Sequence, residues 1–185
     1  MQPGRGRKNP KMALTFTLVG PSERDDLIRF ITADTYPYNA TPEPSPEQVA
    51  EWIDTGLFTK TFWIVRACVA HVGVLQYQDS SPVHAEIHIR LHAPYRGQGI
   101  GTQAILWLTE NLFRSYPQKH RLEGWVRSDN DAMRRVSRKC GYTKEAHLRR
   151  DFSRGDGTFA DKVGYGILRE EWEHGTRVAV HWDDE

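Results

Sequence analysis

HAEIHIRLHAPYRGQGIGTQAILWL, residues 84–108, decides the fold. Its first eight residues alternate: Ala85, Ile87, Ile89 and Leu91 fall on one side, and His84, Glu86, His88 and Arg90 on the other. That period of two belongs to a half-buried strand. After Pro94 the chain changes character, with Gly97, Gly99 and Gly101 set in Arg96-Gly97-Gln98-Gly99-Ile100-Gly101-Thr102. Beyond them Ile100, Ala104, Ile105, Leu108 and Leu112 recur at helical spacing. The unit is strand, glycine loop, helix. Glycines permit positive φ and close backbone approach, so successive N–H groups can converge on one anion. The helix behind them adds partial positive charge, which makes the loop a seat for a pyrophosphate, although three glycines also suit a plain structural turn. A P-loop is a poor match, because no lysine precedes Thr102. A dinucleotide fold is also a poor match, because its third glycine would come later and the loop would open the chain.

Working outward, LTFTLVG (14–20) alternates as a strand that Met12 opens, and an amphipathic helix runs from Pro21 to about Ala33. The turn-rich TYPYNATPEPSP (35–46) leads to a helix around PEQVAEWIDTG, closed by Gly56. Strands TFWIVR (61–66) and HVGVLQYQ (71–78) follow. Downstream come the strand RLEGWV (121–126), a helix over about 131–139 and two closing strands. This order is an α+β layout with a mixed central sheet flanked by helices, not a doubly wound sheet. Residues 1–11 read as a flexible tail, 12–172 as the domain and 173–185 as a second tail. Within that tail RVAVHW is left open between an edge strand and a partner contact.

The 185 residues fit one domain, and 38% hydrophobic content suffices for a core. With 25 basic and 24 acidic residues the chain has no general electrostatic reason to bind nucleic acid, although its first eleven residues are basic. Cys68 and Cys140 are too few for a disulfide framework or a zinc site, and packing is the expected role of both. No apolar run reaches a membrane span, and no secretory signal opens the sequence, so a cytoplasmic protein is expected.

Residues 96–101 match Q/R-x-x-G-x-G/A in full. Asn130-Asp131-Ala132, then Arg135-Val136, Lys139 and Gly141-Tyr142, follow N-x-A…R-V…K-x-G-F/Y. In these motifs the chain resembles the GNAT superfamily of N-acetyltransferases. The segment 161–168 running into Glu170, Glu171 and Trp172 is similar to the ribosomal-protein-alanine acetyltransferase (Rim-type) branch. Together the matches cover roughly residues 12–172. The resemblance implies a sheet splayed between its fourth and fifth strands, with acetyl-CoA in the gap. The pantetheine would pair with main chain around Ile89 to Leu91. The pyrophosphate would take N–H groups of Arg96, Gly97, Gln98, Gly99, Ile100 and Gly101, with Thr102 just behind. Asn130 would steady the pantetheine arm, a role that can coexist with capping a helix. A homodimer is admitted as an assembly.

Acetyl transfer to an amine needs a neutral nitrogen, and at pH 7 about one alkylamine in a thousand is unprotonated. A base is therefore useful. Glu86, ten residues before Arg96, sits close to where related acetyltransferases carry a strand glutamate, and His88 should share its side. The plain alternative is that both are polar residues on a solvated face. Many relatives place an acidic tyrosine four positions before the Gly of Gly-Phe; here that place holds Ser137, read as an exposed helical serine that can at most steady the thiolate. A strong acid is dispensable, because a thiol is acidic enough to leave with solvent's help. Tyr36 and Tyr38 lie in the loop that borders the acceptor in this family. His147, Arg149, Arg150 and Asp151 read as a solvated strand. The reading is an N-acetyltransferase acting on a primary amine, of a protein N-terminus or a small molecule, by direct attack in a ternary complex. The alternative is a non-catalytic acyl-CoA-binding sensor or scaffold.

Overall fold

The computed structural model describes residues 13–67, 69–154 and 156–182. The readings made for residues 1–11, Met12 and Cys68 lie outside them. A strand β1 (Leu14–Leu18) leads through a 3-10 turn into α1 (Arg24–Thr32) and α2 (Pro46–Asp54). Then come β2 (Thr61–Arg66), β3 (Val69–Ser81), β4 (His84–Leu91), α3 (Ile100–Ser115), β5 (Arg121–Arg127) and α4 (Asp131–Lys139). The strands β6 (Thr143–Ser153) and β7 (Phe159–Leu168) and a short α5 (Arg169–His174) follow. Local chemistry sets several of these boundaries. Ser45 opens α2 with a capping box: its Oγ accepts from the Gln48 N–H at 3.3 Å, and the Gln48 side chain accepts from the Ser45 N–H at 2.9 Å. Gly56, at φ +86°, ends the same segment.

The seven strands form one mixed sheet in the order β1-β2-β3-β4-β5-β7-β6. Only β4 and β5 run parallel, as expected for two strands joined by the crossover helix α3. One face carries Ala85, Ile87, Leu75, Leu122 and Val126 against Ile100, Ala104, Ile105, Leu108 and Leu112 of α3. The other face buries Trp63 and Val74 under Leu27, Phe30 and Ile31 of α1 and Val49 of α2. In the β3–β4 register Val74 opposes Arg90, Gln76 opposes His88 and Gln78 opposes Glu86. Cross-strand partners share a face, so Glu86, His88 and Arg90 stand on the α1–α2 side. Residues 176–182 form neither strand nor helix, so RVAVHW adds no strand to the sheet. That segment is instead held by side chains: the Val178 N–H donates to Glu171 Oε1 at 2.7 Å, and Lys144 Nζ lies 5.4 Å from the Trp182 ring centroid.

Candidate active site

The parallel pairing of β4 with β5 covers His84 to Glu86 opposite Arg121 to Glu123, and stops there. Both strands continue, β4 to Leu91 and β5 to Arg127, without pairing to each other. The sheet is therefore splayed between its fourth and fifth strands. The wedge opens into a continuous cleft with two halves of about 400 Å³ each, which share Tyr38, Asn39, Ile89, Arg90, Asn130 and Met133.

One half lies between the end of β4 and the start of α3. The His92 N–H donates to Val72 on the β3 side, whereas the Leu91 carbonyl accepts from Arg96 Nε at 2.8 Å. Alternation along the strand then turns the carbonyl of Ile87 and both main-chain polar groups of Ile89 into the splay, past the last pair with β5 at Glu86 and Glu123. Orphaned groups of this kind are what an amide-bearing arm pairs with. Gly97 and Gly99 adopt φ +73° and +80°, and no atom lies within 4 Å of where either Cβ would stand. Gln103 is the first N–H of α3 to reach a carbonyl, that of Gly99 at 3.2 Å. The earlier N–H groups of the helix, from Ile100 to Thr102, precede it as free donors at the dipole's positive end. Arg135 and Lys139 of α4 line this half too. Glycine cradle, free donors and cations together fit a pyrophosphate and pantetheine.

The side chains of this loop divide their work. Arg96 acts as a clamp, donating to Asp34 Oδ2 at 3.1 Å and to the Thr35 carbonyl at 2.7 Å besides Leu91. Gln98 points elsewhere, donating to the Pro94 carbonyl and accepting from Arg66. Ile100 is buried in the core. Gln98 and Ile100 thus have only main chain to offer a ligand. Asn130 caps α4, its Oδ1 accepting from the Met133 N–H at 3.1 Å, and also lines both halves of the cleft.

The second half holds Glu86, His88 and Arg90 along β4, with Trp125 and Arg127 from β5 and Lys162 from β7. Burial raises the Glu86 carboxyl above the ordinary range, and the nearby Glu123 carboxylate raises it further against the pull of Lys162. His88 is pushed down to about 4 by burial and then by Arg90, so its ring is neutral at pH 7. His88 Nε2 lies 3.5 Å from Glu86 Oε1 and has no hydrogen-bond partner among the described residues. The site thus offers two adjacent proton acceptors on one strand face.

Ser137 is buried rather than exposed, and its Oγ donates to the Met133 carbonyl at 3.1 Å. Its proton is committed within the helix. We expect Ser137→Ala to lose about tenfold in turnover at most, the worth of about one neutral hydrogen bond. A collapse of about a thousandfold with acetyl-CoA binding intact would make Ser137 the acid.

Tyr36 is buried and lines only the first half, with the Arg90 and Arg96 guanidinium groups 6.0 and 5.7 Å from its ring centroid. Burial pushes its hydroxyl up to about 12, and that hydroxyl has no partner among the described residues. Tyr36→Phe removes an unsatisfied polar atom, so unfolding should cost about 1 kcal/mol more in the variant, as read by denaturant titration. Tyr38 is partly exposed beneath Arg127, 4.8 Å from its ring, and Arg127 also donates to the Pro37 carbonyl at 2.9 Å. β5 thereby holds the α1–α2 loop across the mouth of the cleft. Cys140 is buried with its thiol pushed up to about 11, which suits packing. Residues 147–151 lie exposed on β6, as a solvated strand should. The contributions of Arg127, Trp125 and Lys162 are absent from the sequence reading.

Among the described residues no group of His, Cys, Asp and Glu could hold a metal ion, and no helix is long and apolar enough to cross a membrane. Residues 14–143 match the acetyltransferase (GNAT) domain family. The chain belongs to the GNAT acetyltransferases. None of the curated proteins compared matches it significantly. Among solved structures it is similar to a GNAT-family acetyltransferase from Bacillus anthracis, at TM-score 0.72 and 17% identity, covering 85% of this chain and 96% of that one. The spermidine N-acetyltransferase of Vibrio cholerae, in complex with CoA and spermine, gives TM-score 0.71 and 17% identity over 90% and 100% of the two chains. RimL, a ribosomal L7/L12 alpha-N-protein acetyltransferase in complex with coenzyme A, gives 0.69 and 20% over 84% and 93%. Acetyl-CoA as co-substrate is consistent with this family and with the fit of the first half-cleft.

Proposed function

We propose that the protein is an N-acetyltransferase that moves an acetyl group from acetyl-CoA to a primary amine by direct attack in a ternary complex. The observation that carries this reading is the splay: the main chain of Ile89, beyond the last β4–β5 pair, lies beside the cleft half that Glu86 and His88 share. When bound, acetyl-CoA supplies an activated thioester carbonyl. Gly97 to Thr102 would hold its pyrophosphate, and the main chain around Ile89 its pantetheine, with Arg135 and Lys139 beside the phosphates. Glu86, ionised, accepts the proton of the incoming ammonium, which leaves the nitrogen lone pair free to attack. Neutral His88 beside it can accept through Nε2 and keeps the strand face uncharged at that point. Asn130 and the α1–α2 loop narrow the passage between the halves. The departing thiolate takes its proton from solvent, since Ser137 is engaged with Met133.

Acetyl-CoA and a panel of amines incubated with the protein should release free thiol in step with acetylated amine. Tight acetyl-CoA binding with no release from any amine would instead favour a sensor or scaffold.

A further inference from the structure

The acceptor half of the cleft has an uneven charge. Its lining holds one carboxylate, Glu86, against the cations Arg90, Arg127 and Lys162. Arg127 and Lys162 have acidic partners, Asp129 at 2.6 Å and Asp151 at 3.5 Å. Arg90 forms no ion pair among the described residues. Its polar contact is Gln76 Oε1 at 3.3 Å, a neutral amide, and its guanidinium sits 5.4 Å from the Phe58 ring centroid and 6.0 Å from that of Tyr36. A guanidinium carries five donors in a rigid fork that matches a carboxylate, and one drawn out of water without a counter-charge is costly. A residue of this kind on the wall of a ligand cleft is built to receive an anion from the ligand. It stands in a row with His88 and Glu86, four residues and about 13 Å of strand from one end to the other. A molecule lying along that row presents one end to Arg90 and the other to the proton acceptors.

We propose that the acceptor is an amine that also carries a carboxylate, with the carboxylate on Arg90 and the amine toward Glu86 and His88; this rests on the acetyltransferase reading above. A polyamine puts a second ammonium where Arg90 stands, and the like charges repel in a half-buried site. Of the cations lining the other half, Arg135 and Lys139 stand where the cofactor's phosphates would lie and Arg96 is paired with Asp34 at 3.1 Å, so none of them alters this balance.

The test is a matched series: aminoalkanoates of two to six carbons, each with the alkylamine and the diamine of the same length. Thiol release is measured for the full-length protein, for Arg90→Gln and for Arg90→Lys. The expected wild-type order in kcat/KM is aminoalkanoate, alkylamine, diamine, with the first about tenfold or more above the second. That ratio should fall close to one in Arg90→Gln and stay intermediate in Arg90→Lys, which keeps the charge but loses the fork. A diamine at the head of the order overturns the proposal, as does a carboxylate preference that Arg90→Gln leaves untouched. Should Arg90→Gln fail to fold, Arg90→Lys and the wild-type order still decide. If no amine in the series releases thiol, the acetyltransferase reading fails instead. Ligand-observed NMR with pentanoate and butylamine on the CoA-bound protein then judges Arg90 separately. Pentanoate binding that depends on Arg90 sustains the carboxylate site, and equal or absent pentanoate binding in wild type and variant removes it.

Discussion

Replacing Gly99 by valine should weaken acetyl-CoA binding by about a hundredfold or more and leave a folded protein. Gly99 sits at φ +80°, immediately before α3, where N–H groups stand without carbonyl partners. No atom lies within 4 Å of a Cβ at this position, so the protein itself has room for the new side chain. The side chain would instead occupy the cleft that Gly97, Gly99 and Gly101 line. A branched residue is also strained at positive φ, by about 1–3 kcal/mol, and relaxing that strain swings the N–H groups off their common target. Hydrogen bonds to a charged partner are worth about 1.5–3 kcal/mol each, so losing two accounts for the expected factor. Calorimetric titration of acetyl-CoA, paired with circular dichroism to verify folding, measures both effects. A folded variant with wild-type affinity would remove the loop from the cofactor site.

The strand and helix order of this domain is legible in the sequence because its signals are local. The alternation of 84–91 already sorts Ala85 and Ile87 from Glu86, His88 and Arg90, and the structure sets the two groups on opposite faces. The splay itself is not local. It depends on β4 and β5 parting after Glu86 and Glu123, strands separated by all of α3, and only the family resemblance anticipated it. Arg96 shows how a motif can mislead about a side chain. Its place in the glycine signature suggests a phosphate, yet its partners Asp34 and Thr35 lie some sixty residues upstream and draw it into clamping the α1–α2 loop.

Ser137 offers the opposite lesson. Read alone, a helical serine is expected in solvent. Read with Met133, Val136 and Cys140, it falls on a stripe at positions i, i+3, i+4 and i+7, which is the buried face of α4. The signal was present but polar residues are easily left out of an apolar pattern. Arg127, Trp125 and Lys162 carried no such signal, since only tertiary pairing of β5 with β7 brings them to the cleft.

Glu86→Gln should leave acetyl-CoA affinity unchanged and slow turnover by about a hundredfold, the usual worth of a direct general base. Glutamine keeps the shape and loses the proton acceptor. A base works when ionised, so wild-type kcat/KM should rise with pH through the Glu86 pKa, and that limb should lie above the ordinary carboxylate range because burial and Glu123 raise the group. In Glu86→Gln the limb should vanish. His88 cannot produce it, since its pKa of about 4 leaves it neutral throughout the working range. Stability supplies a second, independent reading with the opposite sign. The folded pKa of Glu86 lies above its unfolded value of 4.5, so the folded state binds the proton more tightly. Stability is therefore highest below the unfolded value and falls as pH rises toward the folded one, where the buried carboxylate becomes charged. Glutamine is never charged, so Glu86→Gln should melt higher than wild type at neutral pH, with the gap closing in acid. A slower but more stable enzyme is the signature of a carboxylate held in place for chemistry at a cost to the fold. Wild-type rates at every pH would instead leave Glu86 a structural residue.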